Sequence, residues 1–127
     1  MTTLISGSAT AEGTKRYLTR LASTVVPAHF RELEGIAVAT IGLGTYLGRE
    51  DGATDVMYQD AIALALELGV NTIDTAINYR HQRSERSVRA ALASAISGGA
   101  VRRDEVVVAT KGGYIPFDGA VPRDARA

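Results

Sequence analysis

The chain has 127 residues, with 14 Lys+Arg against 14 Asp+Glu and no cysteine. Zero net charge leaves no electrostatic footprint for nucleic acid or an anionic membrane surface, and the lack of Cys removes disulfides, thiolate zinc sites and thiol nucleophiles together. No apolar run approaches the ~18–20 residues of a membrane span, and the first residues lack the basic start and apolar core of an export signal, so a cytoplasmic, membrane-free globular protein is expected.

Residues 1–28 read as an N-terminal extension. Small and hydroxyl residues dominate to Thr14, and Tyr17, Leu18, Leu21 and Val25 then share one face at helical spacing. Pro27 ends that pattern, which predicts a short surface helix after a mobile start. His29 to Val38 reads as a hairpin turning at Glu34-Gly35, where Gly35 can take a positive φ. Residues 39–44 read as a short strand ending in glycines, and 45–53 as a loop. From Thr54, placed as a helix cap, Met57, Ala61, Leu64, Ala65 and Leu68 form a helical stripe that ends at Gly69. Residues 70–74 read as the next strand and Thr75 to Arg83 as a polar loop. Ser84 is then placed as the cap of a second helix, with Glu85 favourable against its dipole. Val88, Ala91, Leu92 and Ala95 share the inner face of that helix, and Gly98-Gly99 ends it. Residues 105–111 read as a third, apolar strand covered on both faces, and 112–127 as irregular.

Alternation of β and α at this pitch implies parallel strands with helical crossovers, in either an open doubly wound sheet or a barrel. Two dinucleotide or nucleotide motifs fail. Gly42-Leu43-Gly44-Thr45-Tyr46-Leu47 lacks a third glycine at Leu47 and opens no helix, and no Gly-Lys-Ser/Thr is present. The Tyr-x-x-x-Lys pair of short-chain dehydrogenases fails because Arg83 follows Tyr79 at that spacing.

A better constellation sits at the carboxyl ends of the strands, where parallel α/β folds bind ligands. Asp74 closes the second strand, Lys111 closes the third, and Tyr79 follows Asp74 in the loop. A lysine ending an apolar strand needs a partner, and Asp74 on the adjoining strand is the natural one. An ammonium beside a phenol favours the phenolate, so such a tyrosine can hand over its proton and be restored. Lys111 is one of only two lysines among 14 basic residues, and a compact point charge suits a site beside a phenol better than a guanidinium. On spacing alone, an ordinary structural Asp–Lys pair beside a surface tyrosine accounts for these residues at least as well.

The runs Gly42-Leu43-Gly44-Thr45-Tyr46, 65–79 with its Asp74-Thr75-Ala76-x-x-Tyr79, Ser84-Glu85, and Thr110-Lys111 resemble the aldo-keto reductases over roughly residues 30–113. The resemblance implies an α/β fold in which 29–127 form the opening β-hairpin and first three βα units of a (β/α)8 barrel. A whole barrel needs roughly 250 residues, so the chain would be a truncated one. The resemblance also implies an oxidoreductase that reduces small aldehydes or ketones with NADPH or NADH. Tyr79 would be the general acid, Lys111 its activator and Asp74 the holder of Lys111. Gly44, Thr45, Tyr46 and Asp74 would lie at the cofactor, and no metal is implied. The family's fourth catalytic group, a histidine at the end of the fourth strand, would fall some 30 residues past Lys111 by the strand pitch. The activity is therefore expected of a longer protein, with the 127 residues alone inactive; a cofactor-sensing auxiliary barrel subunit or an inactive truncated fragment are the alternatives the resemblance leaves.

Elsewhere the plainer readings are preferred. His81 is expected to be a solvated loop residue and His29 structural. Arg80, Arg83, Arg86 and Arg89 are expected on a solvated face. Tyr114 and Phe117 either wall a pocket or cover an edge. An apolar edge at 105–111 predicts association with other chains.

Overall fold

The computed structural model describes residues 4–125. Three helices, a two-stranded hairpin and a three-stranded sheet follow one another: α1 (Ala11–Leu21), β1 (Phe30–Leu33), β2 (Ile36–Ala39), β3 (Leu43–Gly44), α2 (Gly52–Glu67), β4 (Thr72–Asp74), α3 (Arg83–Ser97) and β5 (Val107–Ala109). β1 and β2 pair antiparallel, with Phe30 opposite Ala39 and Leu33 opposite Ile36. Glu34 at φ 49° and Gly35 at φ 82° make the two-residue turn, as expected for a hairpin whose turn must match strand twist. The sheet is parallel in the order β3-β4-β5, with Leu43 beside Ile73 and Ile73 beside Val108. It is an open sheet flanked by α2 and α3. Among the described residues no helix is long and apolar enough to cross a membrane.

The core lies between the sheet and the helices. Ile62 and Leu66 of α2, Ile73 of β4, Val88, Ala91 and Leu92 of α3, and Val101 and Val106 are buried together. Each large aliphatic among them contributes about 1.5–3 kcal/mol by leaving water. The α3 stripe therefore falls where the sequence places it. The α2 stripe does not: Met57, Leu64 and Leu68 are exposed, and Ile62 and Leu66 face inward. Apolar side chains surround this helix, so periodicity alone cannot choose its inner face.

Two caps also differ from expectation. Asp51, not Thr54, caps α2, its carboxylate accepting the Thr54 N–H at 2.8 Å. Ser84 lies inside α3, which begins from a left-handed Gln82 with no side-chain cap. The third strand is shorter than 105–111: Glu105 belongs to a 3-10 turn, and pairing starts at Val107. Its carboxylate turns away from the sheet to meet the α1 arginines.

The N-terminal helix is not a loose surface element. Thr10 caps it by accepting the Gly13 N–H, and Tyr17 is fully buried, donating its hydroxyl to Leu66 O at 2.7 Å. Gly13 lets the helix approach the turn before β5. A Cβ at Gly13 would stand 2.2 Å from Asp104 O. Arg16 and Arg20 then clamp the buried Glu105 carboxylate at 2.9 and 2.8 Å. Burial alone would push this carboxyl up, but hydrogen bonds from Arg20, the Arg102 N–H and Arg16 outweigh it and hold the group at about 2. α1 and the hairpin thus close the amino ends of the parallel strands.

Asn71 ties that floor to the sheet. It is fully buried; its Oδ1 accepts from Ala39 N–H, and its Nδ2 donates to Ala37 O and Glu105 O. His29 is structural as expected, its ring meeting Gly69 O at 2.9 Å. Gly69 ends α2 with φ 96°, a conformation that favours glycine.

Candidate active site

The carboxyl ends of β3, β4 and β5 carry the residues singled out in the sequence. Asp74 pairs in register with Gly44 on one side and Ala109 on the other. Beyond β5 the backbone stays extended: Thr75 N–H bonds Ala109 O at 2.9 Å and Ile77 N–H bonds Lys111 O at 3.3 Å. Lys111 lies two residues past Ala109, so on a pleated strand it leaves the same face as Asp74's neighbour. That register makes the pair possible.

Lys111 Nζ donates to both Asp74 oxygens, at 3.0 and 2.9 Å, and to Thr75 O at 2.7 Å. It also stands 4.8 Å from the centre of the Tyr79 ring. Asp74 and Lys111 are each half-exposed, so the cluster opens to the strand-end face. The Lys111 ammonium is held above the ordinary lysine value, chiefly by Asp74, with a smaller share from Tyr79. It therefore stays charged throughout the neutral range.

Tyr46 packs edge-on against Tyr79, with ring centres 5.0 Å apart. Thr45 is fully buried and turned inward, both its N–H and its hydroxyl bonding Asp74 O. Gly44 leaves open space: a Cβ there would meet nothing within 4 Å. Thus Asp74, Tyr79 and Lys111 come together, with Tyr46 and Gly44 bordering them and Thr45 beneath.

Three supports were not expected from the sequence. Ser84 is buried and donates to Thr45 O at 2.5 Å, bracing the end of β3 from the first turn of α3. Arg80 is buried, not solvated. Its guanidinium donates to Arg49 O and Asp51 O and pairs with Asp55 at 2.7 Å, and it lies over the Tyr58 ring. Arg83 shares Asp55 at 2.8 Å. Burial raises the Asp55 carboxyl, but hydrogen bonds from Arg83 and Arg80 bring it below the usual carboxylate value. Arg86 remains on an exposed pair with Asp118. Arg80, His81 and Gln82 all take positive φ, at 50°, 51° and 71°. Such bulky residues adopt that region only when the surroundings hold them there, and the Arg80–Asp55 tie does so directly after Tyr79.

His81 is likewise drawn inward. Its Nε2 lies 3.8 Å from Glu50, its ring faces Phe117 at 6.3 Å, and Gly119 N–H bonds its carbonyl. Tyr114 borders a cleft beside the cluster. The signal for Arg80 was present only as its position next to Tyr79; its burial depends on Asp55, 25 residues earlier.

Comparison with known proteins assigns the family. The family model for the aldo/keto reductase family matches residues 40–126. A 6-dehydroglucose reductase of Novosphingobium aromaticivorans is 33% identical over 95 residues, which are 72% of this chain and 31% of that protein. The chain thus spans about a third of the length of the curated relative it matches. The family match runs through every strand of the parallel sheet and both helices that cover it: the chain belongs to the aldo/keto reductase family, a family of oxidoreductases.

Proposed function

We propose that these residues form the proton-donating part of a carbonyl reductase that uses NADPH or NADH, in a protein whose parallel strands are the first three of a (β/α)8 barrel. The observation that carries this reading is the bond from Lys111 Nζ to both Asp74 oxygens, with the same ammonium 4.8 Å from the Tyr79 ring centre. The name of the relative, a reductase, supports the same reaction class.

Tyr79 donates its hydroxyl proton to the carbonyl oxygen as that oxygen becomes an alcohol. Lys111 keeps a positive charge beside Tyr79, next to the negative charge that develops on the phenol oxygen as the proton leaves. Asp74 keeps the ammonium in place and balances its charge. Reduced nicotinamide, when bound, supplies the hydride that reduces the carbonyl carbon. Gly44, Tyr46 and Asp74 would border it, and Thr45 would hold the backbone there. The fit is supported by Gly44, whose missing side chain leaves bare backbone at the strand end, a surface a planar ring can approach. Tyr46 screens one side of Tyr79 from water.

The test is reduction of a small aldehyde by the protein that carries the whole barrel, read as the loss of NADPH absorbance. Tyr79→Phe removes only the donating hydroxyl and is expected to lower kcat by about 10²–10⁴-fold, while NADPH fluorescence still reports binding. Turnover retained in this variant refutes the proton-donor role.

A further inference from the structure

The chain holds two Asp-Gly pairs, Asp51-Gly52 and Asp118-Gly119. At such a pair the glycine nitrogen and the aspartate Cγ can close a five-membered ring, and glycine puts no side chain in the way. Whether the ring closes depends on how firmly the two residues are held, and the two pairs are held very differently.

Asp51 is locked into the start of α2. Its carboxylate accepts the Thr54 N–H at 2.8 Å, and its carbonyl accepts from the Asp55 N–H at 3.1 Å and from Arg80 Nη2 at 3.3 Å. The hydrogen bonds from Thr54 also keep this acid below the usual carboxylate value, and so in its ionised, unreactive form. Ring closure there would unwind the first turn of the helix.

Asp118 lies in the irregular run after β5, with its side chain 75% exposed. Its carboxylate pairs at 2.6 Å with Arg86, itself 54% exposed, and a surface pair of this kind opens readily. Gly119 follows at φ 80°, and its N–H donates to His81 O at 2.9 Å. Opening those two bonds frees both reacting groups without unfolding any helix or strand.

We propose that Asp118 is a site of spontaneous isomerisation to isoaspartate. The Gly119 nitrogen attacks Asp118 Cγ and a C–N bond forms. The carboxyl hydroxyl leaves as water with the Gly119 amide hydrogen. Water then adds to the Asp118 main-chain carbonyl carbon of the ring, the bond from that carbon to the Gly119 nitrogen breaks, and the hydrogen returns to nitrogen. Mass is unchanged, but the chain now runs through Cγ, one carbon longer, and the former main-chain carbonyl carries the free carboxylate. Both latches shift, the carboxylate from Arg86 and the Gly119 N–H from His81 O. The segment bearing Phe117, whose ring faces His81, is thereby untied from the left-handed run after Tyr79. The site stands whether or not Tyr79 donates a proton.

Peptide mapping of the protein aged at neutral pH tests it. Trypsin puts the two pairs on separate peptides, 50–80 and 112–123. Isoaspartate is read with isoaspartyl methyltransferase and labelled S-adenosylmethionine, and as a second chromatographic peak of the same mass. Label is expected to grow with age in 112–123 and to stay at the fresh level in 50–80. Asp118→Glu, whose longer side chain closes the ring far more slowly, should remove it. Arg86→Gln should speed it by about twofold, the loss of one exposed ion pair. No label in 112–123, label that persists in Asp118→Glu, or more label in 50–80 than in 112–123 overturns the site. A rate in Arg86→Gln no faster than the parent's overturns the part given to that pair. Amide exchange then compares the isoaspartyl fraction with fresh protein. Faster exchange at Gly119 with α3 still protected is expected, and unchanged exchange there overturns the unlatching.

Discussion

Replacing Glu105 by Gln removes one charge from a buried position and keeps the shape of the side chain. In the native protein that carboxylate is 1% exposed and accepts from Arg16 Nε, both terminal nitrogens of Arg20 and the Arg102 N–H. Its fall from 4.5 to about 2 corresponds to about 3 kcal/mol of stability at neutral pH. Arg16 and Arg20 are 37% and 44% exposed, so water screens part of the attraction and each can rehydrate when the charge is lost. The expected loss for Glu105→Gln at neutral pH is therefore about 2 kcal/mol, below the 3–5 kcal/mol typical of a fully buried pair. The sign with pH follows from a depressed carboxyl. Its stabilisation is complete above the ordinary value of 4.5 and disappears as pH falls toward about 2. Urea unfolding, followed by far-ultraviolet circular dichroism, measures the gap between parent and variant. Groups common to both proteins cancel in that difference. Between about pH 7 and about pH 3 the gap should narrow by more than half. A gap that is the same at both pH values refutes the linkage and makes the role of Glu105 one of shape alone.

Asn71→Leu should cost about 3 kcal/mol or more in urea unfolding, because Ala39 N–H, Ala37 O and Glu105 O all lose their side-chain partner. Gly13→Ala should release α1 from the turn before β5, since its Cβ would stand 2.2 Å from Asp104 O. Faster amide exchange across 11–21, with the parallel sheet still protected, is the expected result; unchanged protection of the helix refutes the close packing. Lys111→Met should lower kcat while leaving NADPH fluorescence titration close to that of the parent, and added alkylamine should restore part of the rate. A variant as active as the parent would remove Lys111 from the chemistry.

The elements set by local chemistry were legible in the sequence. The Glu34-Gly35 turn, the α3 stripe through Val88, Ala91 and Leu92, and the glycine after α2 each follow from backbone or periodic preferences within a few residues. The juxtaposition of Asp74 and Lys111 was legible as well, because parallel register carries strand ends to one side. What was not legible depends on partners far along the chain. Arg80 reads as one of four basic residues until Asp55 is known to face it, and Glu105 reads as part of a strand until Arg16 and Arg20 draw it toward α1. Ser84 has the right chemistry for a cap, yet its hydroxyl serves Thr45 O instead. The inner face of α2 failed for a different reason: with apolar residues all round, only the neighbouring sheet decides which side is covered.

The left-handed run at Arg80, His81 and Gln82 also says how the loop after Tyr79 stores its shape. No glycine lies between Gly69 and Gly98, so the bend is made by residues that resist it, at about 1 kcal/mol each. Together they oppose the Arg80–Asp55 tie with a strain comparable to what such a tie contributes. The loop is thus a sprung segment held shut from α2, and its natural response to losing Asp55 is to straighten locally. Loss of Asp55 on α2 would then move Tyr79 while the core stayed folded.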